Sequence, residues 1–263
     1  MPELPEVEAY RQYFESTSLN KQIKNIEVRD SRILKVEKDI FINSLQGKKF
    51  YSVLRHGKYL FIRSNSVFLI MHFGMTGDLE YYRNSEEEPA YAKVLFEFTN
   101  NYILSYISTR MFGKLDITDN MNVYIEKKKL GPDALTMSYD DFIESIKRRT
   151  TNAKTALMNQ NIASGIGNIY SDEILFRSKI NPMTKINLLD DDQLKTLFSN
   201  IKEVLYYGIE KRGILSDYSD DFLIPHRNQE DKCPVCKTQI ERYEILGRHG
   251  FFCPKCQKIR NNE

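Results

Sequence analysis

No stretch of this 263-residue chain stays apolar for the roughly 18 to 20 residues that a bilayer-spanning helix requires. The start, Met1-Pro2-Glu3-Leu4-Pro5-Glu6, has neither the basic nor the apolar segment of a secretory signal, so the expected location is cytoplasmic, associated with the nucleoid. Long glycine, serine or proline tracts are missing, while hydrophobic residues make up 41% and charged ones 28%, which excludes a wholly disordered or collagen-like chain. From length alone, one large core or two modest ones fit, and two is the expectation. Net charge is also small. Lys+Arg 38 against Asp+Glu 36 leave +2, which argues against a strongly basic nucleic-acid coat protein. The imbalance is local: from Lys232 onward there are seven Lys/Arg and three acids, an excess of +4. A basic tail on a near-neutral body suits a focused contact with a polyanion, although a solvated tail would look the same.

Cysteine is scarce, with four in all, and they fall into two matched pairs, Cys233-Pro-Val-Cys236 and Cys253-Pro-Lys-Cys256. Two residues between the members of a pair let both thiolates face one tetrahedral ion, and sixteen residues between the pairs match a two-knuckle zinc ribbon. Disulfides are disfavoured without secretion, and scattered core thiols would not pair in this way. Cys233, Cys236, Cys253 and Cys256 are therefore read as ligands of one structural Zn²⁺ per chain. Gly247-Arg248-His249-Gly250, between the knuckles, is read as a hairpin tip carrying Arg248, either a phosphate contact or merely a loop.

Helix signals open the chain, with Pro2, Pro5 and acidic residues placing a helix over 5–16. Extended segments follow at 23–28, 49–62, 67–73, 92–98 and 102–107, rich in β-branched and aromatic residues, with Asn100-Asn101 as a hairpin turn and a short helix near 40–45. Glu86-Glu87-Glu88 reads as a loop tip. After Lys127-Lys128-Lys129 and Gly131-Pro132 the pattern becomes helical: 139–149 capped by Ser138, 154–161, 169–177, and 190–211 stopping at Gly213.

Two local features carry chemical options. Gly165-Ile166-Gly167-Asn168 lacks the preceding strand and the third glycine of a dinucleotide fingerprint; flanked by helices, it is a tight link that leaves Asn168 at a helix N-terminus. Free amides there could hold a phosphate, or Asn168 could simply cap the helix. Pro2, once Met1 is removed, presents a secondary amine near the positive end of a helix dipole, which favours its neutral, nucleophilic form. Glu3 beside it could serve as general acid or base. Taken alone, Pro2 is just a helix start.

Together, Pro2-Glu3-Leu4-Pro5-Glu6, Arg55-His56-Gly57-Lys58-Tyr59-Leu60, the stretch Leu157 to Glu173 containing Gly165-Ile-Gly167-Asn168, and the terminal four-cysteine ribbon closely resemble the formamidopyrimidine-DNA glycosylase / endonuclease VIII family of base-excision repair enzymes. The resemblance covers essentially the whole chain. It implies an α+β multidomain fold: an N-terminal antiparallel β-sandwich with flanking helices (1–130), a helix-two-turn-helix domain (131–225) and a four-cysteine zinc finger (226–263), with DNA bound across a cleft. It implies a bifunctional DNA glycosylase/AP lyase, monomeric, acting on damaged double-stranded DNA and not on membranes. By the same resemblance Pro2 is the Schiff-base nucleophile, Glu3 the acid/base of sugar ring opening, Lys58 a catalytic or phosphate-contacting lysine on a strand, and Arg248 a phosphate ligand and proton donor in the second elimination. His72, Lys154 and Asn168 fall where the family contacts phosphates, and Met75, Arg110 and Phe112 where it fills the vacated duplex. Such a filler is physically needed, because flipping a base out costs a few kcal/mol.

Two departures bear on specificity. Met111 stands where many relatives have a second arginine. Only nineteen residues, Ile214 to Lys232, join Gly213 to the first zinc cysteine, and with Asp217, Asp220 and Asp221 among them they leave little chain for a lid. Lesion preference thus stays open between oxidised pyrimidines and formamidopyrimidine or 8-oxoguanine. The alternative class is a non-catalytic zinc-ribbon DNA-binding protein of the same fold.

Overall fold

The computed structural model describes residues 1–83 and 87–259. Glu86 of the expected loop tip, and Arg260 and Glu263 of the basic tail, lie outside the described residues. The chain forms two compact units, one from residues 1–2 and 6–128, the other from residues 3–5 and 129 onward.

The first unit is a β-sandwich. One antiparallel sheet has the order β1 (Ile23–Val28), β6 (Ala92–Phe98), β7 (Ile103–Ser108), β5 (Gly77–Tyr82); the other has β2 (Ser52–His56), β3 (Tyr59–Ser64), β4 (Val67–His72), β8 (Lys114–Thr118). Their inner faces share one core in which Phe14 of α1 (Leu4–Ser18) and Phe50, Phe96 and Phe98 interlock at centroid distances of 5.2–6.3 Å. Each such fully buried side chain contributes about 1.5–3 kcal/mol, which makes this aromatic knot a principal source of the unit's stability. Helix α2 (Lys38–Leu45) buries Phe41 and Leu45. The expected single extended segment over 49–62 is two strands, because Gly57, at φ +55°, turns the chain. Lys58 consequently stands in the β2–β3 turn and not on a strand. Strands β5 and β8 and helix α3 (Met121–Lys127) went unpredicted. β5, Gly-Asp-Leu-Glu-Tyr-Tyr, has poor strand composition and is fixed by its pairing with β7, while α3 is short and depends on Asn120, whose side chain accepts from the amides of Asn122 and Val123.

In the second unit the helices follow the expected pattern. α4 (Tyr139–Ile146) and α7 (Asp191–Glu210) each start at a capping box, with Ser138 and Asp190 as caps, and α7 ends where the Gly213 amide donates to Gly208 O at 2.8 Å. α5 (Ala153–Met158) and α6 (Asn168–Arg177) bracket the glycine link. Leu197, Ile201 and Leu205 of α7 pack with Leu157, Tyr170 and Ile174 in one core. The ribbon is a two-stranded hairpin, β9 (Glu241–Ile245) and β10 (Arg248–Phe252). Its tip is Leu246-Gly247, so Arg248 and His249 open β10 and are not the tip itself. Among the described residues no helix is long and apolar enough to cross a membrane.

Candidate functional site

In the second unit, the Gly165-to-Asn168 link receives the chain's first residues. The Leu4 amide donates to Gly165 O at 3.0 Å, and a Cβ on Gly165, which sits at φ +114°, would meet the Leu4 side chain at 2.6 Å. Glu3, 2% exposed, accepts from the amides of Gly167 (2.7 Å), Ile169 (2.9 Å) and Tyr170 (3.3 Å). The option of a phosphate pocket built from free amides at the start of α6 does not hold: a carboxylate of this chain occupies three of them and lies at the positive end of the helix dipole. A fixed, desolvated carboxylate of this kind is suited to proton transfer or to stabilising a cation.

Asn168 begins α6 as expected, yet one amide hydrogen is spent on His249 O of the ribbon, at 2.8 Å. Lys154, expected to contact phosphate, is 1% exposed; its ammonium donates to Asp172 (2.6 Å) and to Asn168 O (2.7 Å). Burial pushes it down from the ordinary lysine range, against the opposing pull of Asp172. It is therefore a buried internal ion and not a phosphate ligand presented to solvent. Arg248 is exposed at the start of β10.

The sulfurs of Cys233, Cys236, Cys253 and Cys256 lie within 4.8 Å of one another, with the Cys233–Cys256 and Cys236–Cys253 pairs at 3.8 and 3.4 Å. Sulfur atoms about 2.3 Å from a shared tetrahedral ion stand about 3.8 Å apart, whereas a disulfide needs about 2.05 Å, so the donor set fits a metal and excludes two bridges.

In the first unit, the expected residues divide into two groups. Lys58 is 6% exposed, and the His72 ring packs tilted against Tyr59 with centroids 4.6 Å apart. Burial, reinforced by the charges of Lys58 and Lys128, pushes His72 down to about 4. Its Nδ1 accepts from the Gly74 amide at 3.3 Å, leaving a neutral ring with Nε2–H as its donor. The second group is a pair of abutting loops. Gly74 lies so close to the other loop that a Cβ there would sit 2.4 Å from Phe112 C and Gly113 N, and the Arg110 amide donates to Thr76 Oγ1 at 3.2 Å. Met75 (44%) and Phe112 (58%) are exposed apolar side chains, and Arg110 is exposed beside them. Met111, at φ +59°, packs partly into the core, so the missing arginine's position is turned inward. Pro2 is partly exposed.

Two buried acids were not singled out from the sequence. Asp172 collects four hydrogen bonds, and Glu173, fully buried and pushed up to about 7 by that burial, accepts from the Ile224 amide at 2.8 Å. Consecutive acids among the apolar Ile169, Tyr170, Ile174, Leu175 and Phe176 were the available signal. The joining segment is clamped: Tyr218, Phe222, Leu223 and Ile224 are buried, the Arg177 guanidinium lies 3.7 Å over the Phe222 ring, and Arg177 bonds Asp221 at 3.1 Å.

Comparison with known proteins agrees with this anatomy. Residues 1–115 match the formamidopyrimidine-DNA glycosylase N-terminal domain, residues 130–219 its H2TH domain, and residues 230–259 the zinc finger found in FPG and IleRS. The formamidopyrimidine-DNA glycosylase of Ligilactobacillus salivarius is 36% identical, covering 99% of this chain and 100% of its own; that of Listeria monocytogenes is 30% identical, covering 98% and 100%. Lactococcus lactis formamidopyrimidine-DNA glycosylase bound non-covalently to DNA containing an AP site superposes with a TM-score of 0.89 at 28% identity, covering 97% and 99%. A complex of the related MutM protein with DNA containing carbocyclic 8-oxo-G gives 0.88 at 28%, covering 98% and 100%. Sandwich, two-turn helical domain and ribbon together mark the chain as a base-excision DNA glycosylase. Within that class, this chain belongs to the formamidopyrimidine-DNA glycosylase family.

Proposed function

We propose that this protein is a bifunctional DNA glycosylase and AP lyase, working as a monomer on damaged double-stranded DNA, with the chain divided at 130/131 and 225/226. The observation that supports it best is the Glu3 carboxylate held by three amides immediately after Pro2. With Met1 removed, the Pro2 amine attacks C1′ of the damaged nucleotide while Glu3 manages the proton of sugar ring opening. The glycosidic bond breaks, the base leaves, and the nitrogen becomes an iminium. That electron sink makes loss of a C2′ proton and of the 3′ phosphate feasible. A second elimination, with Arg248 as proton donor, then expels the 5′ phosphate and completes β,δ-elimination. Lys58 assists catalysis or contacts phosphate, and His72 contacts phosphate through a neutral N–H; Asn168 and Arg248 contact phosphate. Met75, Arg110 and Phe112 fill the space left by the flipped base. Cys233, Cys236, Cys253 and Cys256 would hold one structural Zn²⁺, which would fix the ribbon and take no part in the chemistry.

The clamped segment 214–232 supports a lesion preference for oxidised pyrimidines and ring-opened purines over 8-oxoguanine, since a chain pinned at Phe222, Asp221 and Ile224 has little freedom to fold over a flipped purine. Borohydride reduction on an abasic duplex tests the chemistry: a covalent adduct on the Pro2 peptide is expected, absent in a form retaining Met1. No adduct from protein that binds the duplex would leave a non-catalytic DNA-binding protein.

A further inference from the structure

Asp172 accepts four hydrogen bonds. Its Oδ1 accepts from Lys154 Nζ and from the Tyr243 hydroxyl, both at 2.6 Å; its Oδ2 accepts from Arg227 at 2.8 Å and from the Phe251 amide at 3.1 Å. A carboxylate offers about four acceptor sites, so all are filled. The four donors come from four places: α5, the joining segment, β9 and β10. Gly250, paired with Tyr243 across the hairpin, makes this possible, because a Cβ there would stand 2.4 Å from the Tyr243 ring. The bonds close into a ring. Lys154 also holds Asn168 O, Asn168 holds His249 O, and His249 and Phe251 flank Gly250 on β10.

Buried ion pairs contribute little net stability against apolar packing of the same shape, and their best-attested use is to fix a register. This ring joins the start of α6, where Asn168 and the Glu3 cradle sit, to the strand that opens with Arg248.

We propose that Asp172 is a positioning residue that holds the metal-binding hairpin at a fixed register on α6, so that Asn168 and Arg248 meet the DNA backbone as one preset pair. The inference rests on the reading of Asn168 and Arg248 as phosphate contacts.

Tyr243→Phe tests it most gently, removing one hydroxyl while keeping the ring beside Gly250. In the full-length, metal-loaded protein this variant is expected to keep its metal stoichiometry and thermal midpoint, while amide exchange at 249–251 quickens. Its affinity for an abasic-site duplex should fall about five- to tenfold, the size expected when coupled contacts are released. The distinguishing measurement is a cycle with Arg248→Ala: once Arg248 is gone, Tyr243→Phe should cost almost nothing more. Asp172→Asn, which keeps an acceptor but strands the Lys154 and Arg227 charges, should show the same dependence on Arg248 with a larger loss. Additive losses in the cycle, or unchanged affinity despite quickened exchange, would overturn the proposal. Failure of the wild-type protein itself to bind the duplex would instead reject the functional reading beneath it, and the amide exchange, measured without DNA, still reports whether the lock exists.

Discussion

The Glu3 carboxylate accepts the Gly167 amide at 2.7 Å, and a Cβ added at Gly167 would fall 2.3 Å from the Glu3 carboxyl carbon. The second glycine of the link is therefore required by a side chain 164 residues away. Gly167 has φ −127° and ψ −151°, extended backbone that alanine can adopt, so Gly167→Ala should fold. It should displace Glu3 and slow single-turnover excision by about 100-fold or more, the usual weight of a positioned acid or base, with duplex binding little changed. Excision at the wild-type rate would remove Glu3 from the chemistry.

Arg248, exposed at the start of β10, should act on phosphate and not on base identity. Arg248→Ala is expected to weaken binding to all duplexes alike and to lower the magnitude of the salt slope by about one phosphate equivalent. An unchanged slope would mean that the side chain points elsewhere. Chelating the metal should weaken binding more than this single change does, because the thiolates hold the whole hairpin.

Burial, with the charges of Lys58 and Lys128, pushes His72 down to about 4 in the folded protein from an ordinary value of 6.5. Above about pH 6.5 the ring is neutral folded and unfolded, and costs nothing. As pH falls toward 4 the unfolded chain takes up a proton that the folded one refuses, so stability drops through that window. His72→Gln should lose less stability than the wild type between pH 7 and pH 4.5, read from urea midpoints. Parallel losses in the two proteins would show that other groups control the acid limb.

Single-turnover excision on matched duplexes should rank oxidised pyrimidines and ring-opened purines above 8-oxoguanine opposite cytosine. Equal rates for 8-oxoguanine and the best pyrimidine lesion would show that the pinned 214–232 segment does not decide what the site accepts.

The amino-acid sequence alone determined the strands whose alternation matches a half-buried sheet, such as Ile23–Val28 and Ala92–Phe98, and the helices whose caps are written locally, Ser138 for α4 and Asp190 for α7. It also determined the metal site, because the spacing of Cys233, Cys236, Cys253 and Cys256 is itself the ligand geometry. These are properties of neighbours in the chain. What only the tertiary structure decided are contacts between distant segments: that the α6 amides are filled by Glu3 and not open to phosphate, that Lys154 is buried against Asp172 and not exposed, and that Gly250 clears space for Tyr243. A buried lysine and a surface lysine are the same letter, and a free amide and an occupied one leave no trace in composition. The difference lies in which remote group the fold brings within hydrogen-bond reach and in the desolvation that makes such a pairing obligatory.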